Sequence, residues 1–195
     1  MTRSNRWLTW ANGITGIRLL LAPLLAWAVV RHRIGWALLI FGLAVLTDWA
    51  DGRIARRRGE TSSLGGVLDH ATDAVFVSVG LAAYAALGAV PMLLPGVIVV
   101  AFVQYALDSQ ALLGRPLRTS RIGRSNGLAY FCLLGLLVLR EAARPGSPPS
   151  SFIYGLGWLL VLTSAVSIAD RAVAWWSMRK ARDSPDAGTE AQSPR

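Results

Sequence analysis

Four of the 11 acidic residues of this 195-residue chain stand in two pairs, Asp48 with Asp51 and Asp69 with Asp73. The first pair is spaced i, i+3 and the second i, i+4. On a helix either spacing sets both side chains on one face. Four carboxylates brought to one depth repel one another strongly in a low dielectric, so they call for cations. Oxygen donors in a chain with one Cys and two His favour hard ions, Mg²⁺ or Mn²⁺, with Ca²⁺ behind them. Such a set is large enough for two ions, whose usual work is displacement at phosphorus. A carboxylate within hydrogen-bond reach of a hydroxyl can also take its proton. Taken singly, Asp69 fits a helix N-cap and Asp48 the end of an apolar run. Capping does not account for all four together.

The elements that carry these residues are read as membrane spans. Hydrophobic residues make up 53% of the chain and charged residues 16%, with a formal net charge of +9. That hydrophobicity excludes disorder for most of the chain. The single cysteine, Cys132, excludes a disulfide scaffold. The basic residues lie between apolar blocks and not on a water-soluble face, which argues against a nucleic-acid partner. A spanning helix needs about 20 mostly apolar residues. Six spans are predicted, at 13–30, 34–49, 69–90, 92–113, 126–139 and 152–176. The runs 19–30 and 34–47 are short. They cross lipid only if the polar ends near Arg18 and Asp48 stay helical and face a water-filled cavity.

Six spans put all but Arg31, Arg33, Arg140 and Arg144 of the 20 Lys and Arg residues on one side. By the positive-inside rule that side is cytoplasmic and holds both termini and the carboxylates. The second and third spans, joined by a short loop, are expected to be antiparallel neighbours. Residues 2–11, with Arg3, Arg6, Trp7 and Trp10, are read as a short interfacial helix. The triplet Ala26-Trp27-Ala28 looks like a signal-peptide cleavage site, but the apolar run continues to Val30, so the segment is read as a span. Residues 144–151 read as an exposed loop. The chain thus divides into an all-α membrane domain, 1–180, and a polar tail, 181–195, expected to be disordered.

The full string is Asp48-x2-Asp51-Gly52-x2-Ala55-Arg56-x8-Gly65-x3-Asp69-x3-Asp73. It resembles the complete signature of the CDP-alcohol phosphotransferases, membrane enzymes of phospholipid synthesis. Upstream, Asn12-x2-Thr15-x2-Arg18 is similar to the Asn-x-x-Thr-x-x-Arg that opens the first span of many members, though Ala11 stands where those often have Pro. The resemblance implies the six-helix fold of that family and a homodimer. It also implies transfer of a phosphatidyl group from a CDP-linked lipid, CDP-diacylglycerol, to an alcohol with release of CMP. By position, Asp48, Asp51 and Asp69 bridge two divalent cations, and Asp73 is both ligand and general base. Asn12, Thr15, Arg18, Gly52, Ala55, Arg56 and Gly65 become the contacts to the donor.

The acceptor is less fixed. The segment after the fourth span carries Arg115, Arg118, Arg121 and Arg124. Arg118, Arg121 and Arg124 are candidates for binding an acceptor phosphate. Ser120-x2-Gly123-Arg124 is similar to a Ser-x-x-Gly-Lys segment of the phosphatidylglycerophosphate synthases, with Arg for Lys, and with Asn126 where those enzymes often carry another Lys. The lean is to glycerol 3-phosphate. Inositol phosphate and a lipid acceptor stay open, and the same arginines also suit anionic lipid. From another class, acidic residues in spans suit a divalent-cation transporter. Transporters commonly show internal repeats, and none is visible here.

Overall fold

The computed structural model describes residues 10–58, 63–108, 121–143 and 147–182, with side chains at 10–15, 51–58, 63–65, 108, 121, 122, 124, 174, 175 and 177–182 outside the description. These residues form α1 (Trp10–Val30), α2 (Ile34–Arg58), α3 (Ser63–Ala86), α4 (Leu93–Asp108), α5 (Arg121–Ala143) and α6 (Ser150–Arg182). Each expected span overlaps one helix. Gly66–Ala86, Ser125–Ala143 and Ser150–Val173 are long and apolar enough to cross a membrane, while Gly16–Val30, Ile34–Ala50 and Leu93–Leu107 are shorter apolar helices. Most of the expected interfacial helix, 2–11, and the tail from 183 onward lie outside the described residues.

The third helix ends sooner than the expected 90. Gly88 adopts φ +73°, a left-handed geometry open to glycine at little cost. Its N–H donates to the Ala85 carbonyl at 2.9 Å, and Ala89 N–H donates to the Tyr84 carbonyl at 2.9 Å. That is the paired closure of a helix C-terminus, and Pro91 then prevents continuation.

Each helix buries a stripe. On α1 it runs Arg18, Leu21, Ala22, Leu25, Ala28 and Val29, and on α2 it runs Ala37, Ile40 and Ala44. The opposite faces expose Leu20, Leu24, Trp27, Leu43 and Leu46, as surfaces that meet lipid do. Helix α3 is buried on most sides, and it packs against α1, α4 and α5. The ring closes through α4 on α6, α6 on α5 and α5 on α2. One expectation is corrected here. Among the described residues, the second and third helices do not pack chiefly against each other; α1 packs against both, and α2 and α3 approach each other through their carboxylates at one end. The buried guanidinium of Arg18 sits between those carboxylates.

Lipid is as apolar as leucine, so helices in a membrane associate by close packing. Two glycines show this. A Cβ at Gly157 of α6 would lie 2.4 Å from Cδ of Pro91, a ring locked to its backbone. A Cβ at Gly80 of α3 would meet only the methyl ends of Leu134 and Leu25, at 2.9 to 3.1 Å, and such ends can swing aside. Gly157→Ala is expected to cost about 1–3 kcal/mol by overpacking. Gly80→Ala is expected to cost less. Thermal unfolding of both variants in the same detergent checks the order; equal losses would refute it.

Candidate active site

Three helices bring their charged residues to one end of the bundle. Arg18 follows the buried stripe of α1 and is 0% exposed. Asp48 lies one turn beyond buried Ala44 on α2 and continues its stripe. Asp69 and Asp73 lie on the face of α3 that goes on to buried Phe76. Thr72 donates its hydroxyl to the Asp69 carbonyl at 2.8 Å.

The guanidinium of Arg18 sits among three carboxylates. Its Nη1 is 3.2 Å from Oδ1 of Asp48, its Nη2 donates to Oδ1 of Asp69 at 2.8 Å, and Nη1 also donates to Asp73. The planar fork of arginine suits several acceptors at once. The side chains of Asp48, Asp69 and Asp73 remain 52%, 37% and 36% exposed. One carboxylate oxygen from each of the three lies within 4.8 Å of the others. Hard, anionic, partly accessible oxygens at that spacing fit a divalent cation.

The other sequence candidates divide by what is described. Asp51, Gly52, Ala55 and Arg56 belong to the last turns of α2, Gly65 to the first turn of α3, and Asn12 and Thr15 to the start of α1. Arg121 and Arg124 begin α5. The side chains of all these lie outside the described residues, as does Arg118 altogether. The ion pairs of Arg18 place the start of α1, the later part of α2 and the early part of α3 together. The backbone positions expected to meet the donor are therefore on the elements that carry the carboxylates.

A cavity of about 640 Å³ adjoins the carboxylates, bordered by Asp48 and Asp73 and walled by α3, α4, α5 and α6. Its wall includes Gln104, Asn126, Tyr130, Ser164, Ser167 and Arg171. The Tyr105 ring stacks on His70 at 5.6 Å between centroids, and the Arg171 guanidinium lies 5.6 Å from the Tyr105 centroid. Gln104 ties α4 to α6 by donating to the Ile168 carbonyl at 2.9 Å. Sequence reasoning gave none of these wall residues a role in a site. Their signal was present: polar residues inside apolar runs are costly in a membrane and mark pathways or sites.

A family model described as CDP-alcohol phosphatidyltransferase matches residues 8–176. A cardiolipin synthase (CMP-forming) from Streptomyces coelicolor is 37% identical over 81 residues, 38% of this chain and 38% of that protein. A putative cardiolipin synthase from Mycobacterium tuberculosis is 40% identical over 74 residues, 37% of this chain and 35% of that protein. A CDP-diacylglycerol–glycerol-3-phosphate 3-phosphatidyltransferase from Blochmanniella floridana is 38% identical over 72 residues, 35% of this chain and 37% of that protein. The matched segments span well under half the length of each of these relatives. No solved structure matches the chain.

Proposed function

The chain belongs to the CDP-alcohol phosphatidyltransferase family, and we propose that it transfers a phosphatidyl group from CDP-diacylglycerol to a hydroxyl of an alcohol acceptor, releasing CMP. The observation that carries this reading is the convergence of Asp48, Asp69 and Asp73 beside an open cavity. Asp48, Asp69 and Asp73, with Asp51 one turn beyond Asp48 on α2, would hold the divalent cations, which supply neutralisation of the donor diphosphate when bound.

The residues themselves account for the rest. Asp73 borders the cavity, so its carboxylate can take the proton of an acceptor hydroxyl placed there. The acceptor oxygen then attacks the lipid-side phosphorus, the bond to the CMP oxygen breaks, and CMP leaves with that electron pair. Arg18 donates to Oδ1 of Asp73 and so orients a carboxylate that borders the cavity. Positions Asn12, Thr15, Gly52, Ala55, Arg56 and Gly65 would contact the donor nucleotide and diphosphate. The six helices would cross the membrane six times, with the carboxylate end and both termini cytoplasmic. The basic residues collected at that end support the orientation.

The test is CMP release from CDP-diacylglycerol by purified protein with Mg²⁺, one acceptor at a time. Release that needs both an acceptor and the metal, and stops on adding EDTA, is expected. If no acceptor elicits CMP, the transferase reading fails. Mg²⁺ flux into proteoliposomes without CMP release would support the transporter instead.

A further inference from the structure

The cavity beside Asp73 has two unlike walls. One is polar and belongs to the facing stripes of α5 and α6, where Asn126, Tyr130, Ser164 and Ser167 are all buried. Ser164 donates its hydroxyl proton to the Leu160 carbonyl at 2.5 Å. A serine hydroxyl has one proton, so its contacts with Tyr130 and with Asn126 Nδ2, the latter at 3.4 Å, must be donated to it. The Asn126 carboxamide carries a second N–H and a carbonyl oxygen besides. Donors and acceptors set together without charge suit hydroxyl groups. Polar side chains held inside a helical bundle in lipid are costly without a task.

The other wall is apolar, made by Val77, Ile98, Ala101, Phe102, Leu128 and Phe131. Leu128 on this wall is 68% exposed, so the apolar wall is accessible there. Among the cavity's described wall residues the one arginine or lysine is Arg171.

Charge separates the acceptor classes. A phosphate monoester carries roughly −1.5 to −2 near pH 7, whereas a phosphodiester carries a single charge. The described part of the wall, with one guanidinium and two carboxylates, Asp48 and Asp73, matches the diester better. The apolar wall would be idle against a small water-soluble acceptor.

We propose that this cavity is the acceptor site and that the acceptor is itself a lipid, an anionic glycerophospholipid whose headgroup carries free hydroxyls. The inference rests on the transferase reading above and narrows its substrate. Asn126 and Tyr130, positioned by their contacts with Ser164, hold the headgroup hydroxyls beside Asp73, Arg171 meets the diester phosphate, and the apolar wall with Leu128 admits the glycerol backbone and the first carbons of its chains. The headgroup oxygen forms the new bond to the lipid-side phosphorus of the donor, its proton passes to Asp73, and CMP departs with the electrons of the broken P–O bond. The product joins two lipids through one headgroup. The acceptor thus moves from glycerol 3-phosphate, the lean of the sequence, to a lipid bearing the same glycerol chemistry.

The test uses the full chain in lipid nanodiscs with CDP-diacylglycerol and Mg²⁺. Three acceptors are compared: phosphatidylglycerol, its deacylated form glycerophosphoglycerol, and glycerol 3-phosphate. CMP release with phosphatidylglycerol is expected, with kcat/KM lower by at least about ten-fold for each of the other two, the equivalent of about 1.4 kcal/mol. Ser164→Ala, with folding checked by Tm, is expected to raise the KM for phosphatidylglycerol about five-fold or more while that for CDP-diacylglycerol stays within about two-fold. Higher kcat/KM with glycerol 3-phosphate overturns the lipid acceptor and leaves the transferase reading intact. Equal shifts of both KM values in Ser164→Ala overturn the headgroup subsite. No CMP with any acceptor overturns both readings.

Discussion

Asp73→Asn is expected to abolish CMP release while the protein stays folded. The substitution keeps the size of the side chain and an oxygen that can still accept from Arg18, and Asp48 and Asp69 continue to pair with that arginine. What is lost is the negative charge of a side chain that borders the cavity. Removal of a positioned general base costs about 10²–10⁴ in rate, and loss of a cation ligand adds to it, so the expected fall is at least about 10³-fold. CMP release at saturating Mg²⁺, with Tm measured beside it, decides the matter. Turnover near that of the wild type would remove Asp73 as the base, and a collapsed Tm would show that its role is structural.

Arg18→Leu is expected to produce the largest loss of stability of any single substitution at this end of the bundle. The guanidinium is fully buried and pairs with three carboxylates. Breaking a buried ion pair by removing one partner costs about 3–5 kcal/mol. These carboxylates keep a third or more of their surface in solvent, which screens their repulsion, so about 2–3 kcal/mol is the better expectation. A divalent cation can take over the neutralisation that Arg18 provides, because a ligand of the folded state stabilises it by mass action. Titrating Mg²⁺ should therefore raise the Tm of Arg18→Leu by more than it raises that of the wild type. Equal increments, or an Arg18→Leu protein as stable as the wild type without metal, would refute the idea. Arg18→Lys should recover part of the loss at most, since one ammonium cannot reproduce the fork that reaches Asp48 and Asp69 with separate nitrogens.

The carboxylates were legible in the sequence because helical spacing is local information. Asp69 and Asp73 share a face whatever surrounds them, and the motif 48–73 falls within 26 consecutive positions. The helices were legible for a similar reason, since apolar runs between Arg, Gly and Pro segments mark them. Which helices are neighbours was not. A short loop between the second and third helices made direct pairing the simple expectation, yet among the described residues each packs mainly against α1. Arg18 held the clue: a cation within the first helix must find anions, and those nearest in type lay on the next two helices. Asn126, Tyr130 and Ser164 were hidden differently. They come from two helices 34 to 38 residues apart in sequence, and nothing local says that they share a wall. Each alone reads as a tolerated polar residue in a span.

The position of Arg18 has a consequence for how the chain is made. Two of its three carboxylate partners follow it by 51 and 55 residues. A growing chain presents its first helix to the bilayer before α3 exists, with the guanidinium able to reach only water, lipid phosphate or, later, Asp48. An arginine costs about 2.5–3.5 kcal/mol at the centre of a membrane helix; Arg18 stands toward the polar end of its apolar run, and its long stem can reach toward the interface, so its cost at insertion is smaller. The helix α1 is thus not settled until α3, two helices later, has been made, because only then is its charge fully met.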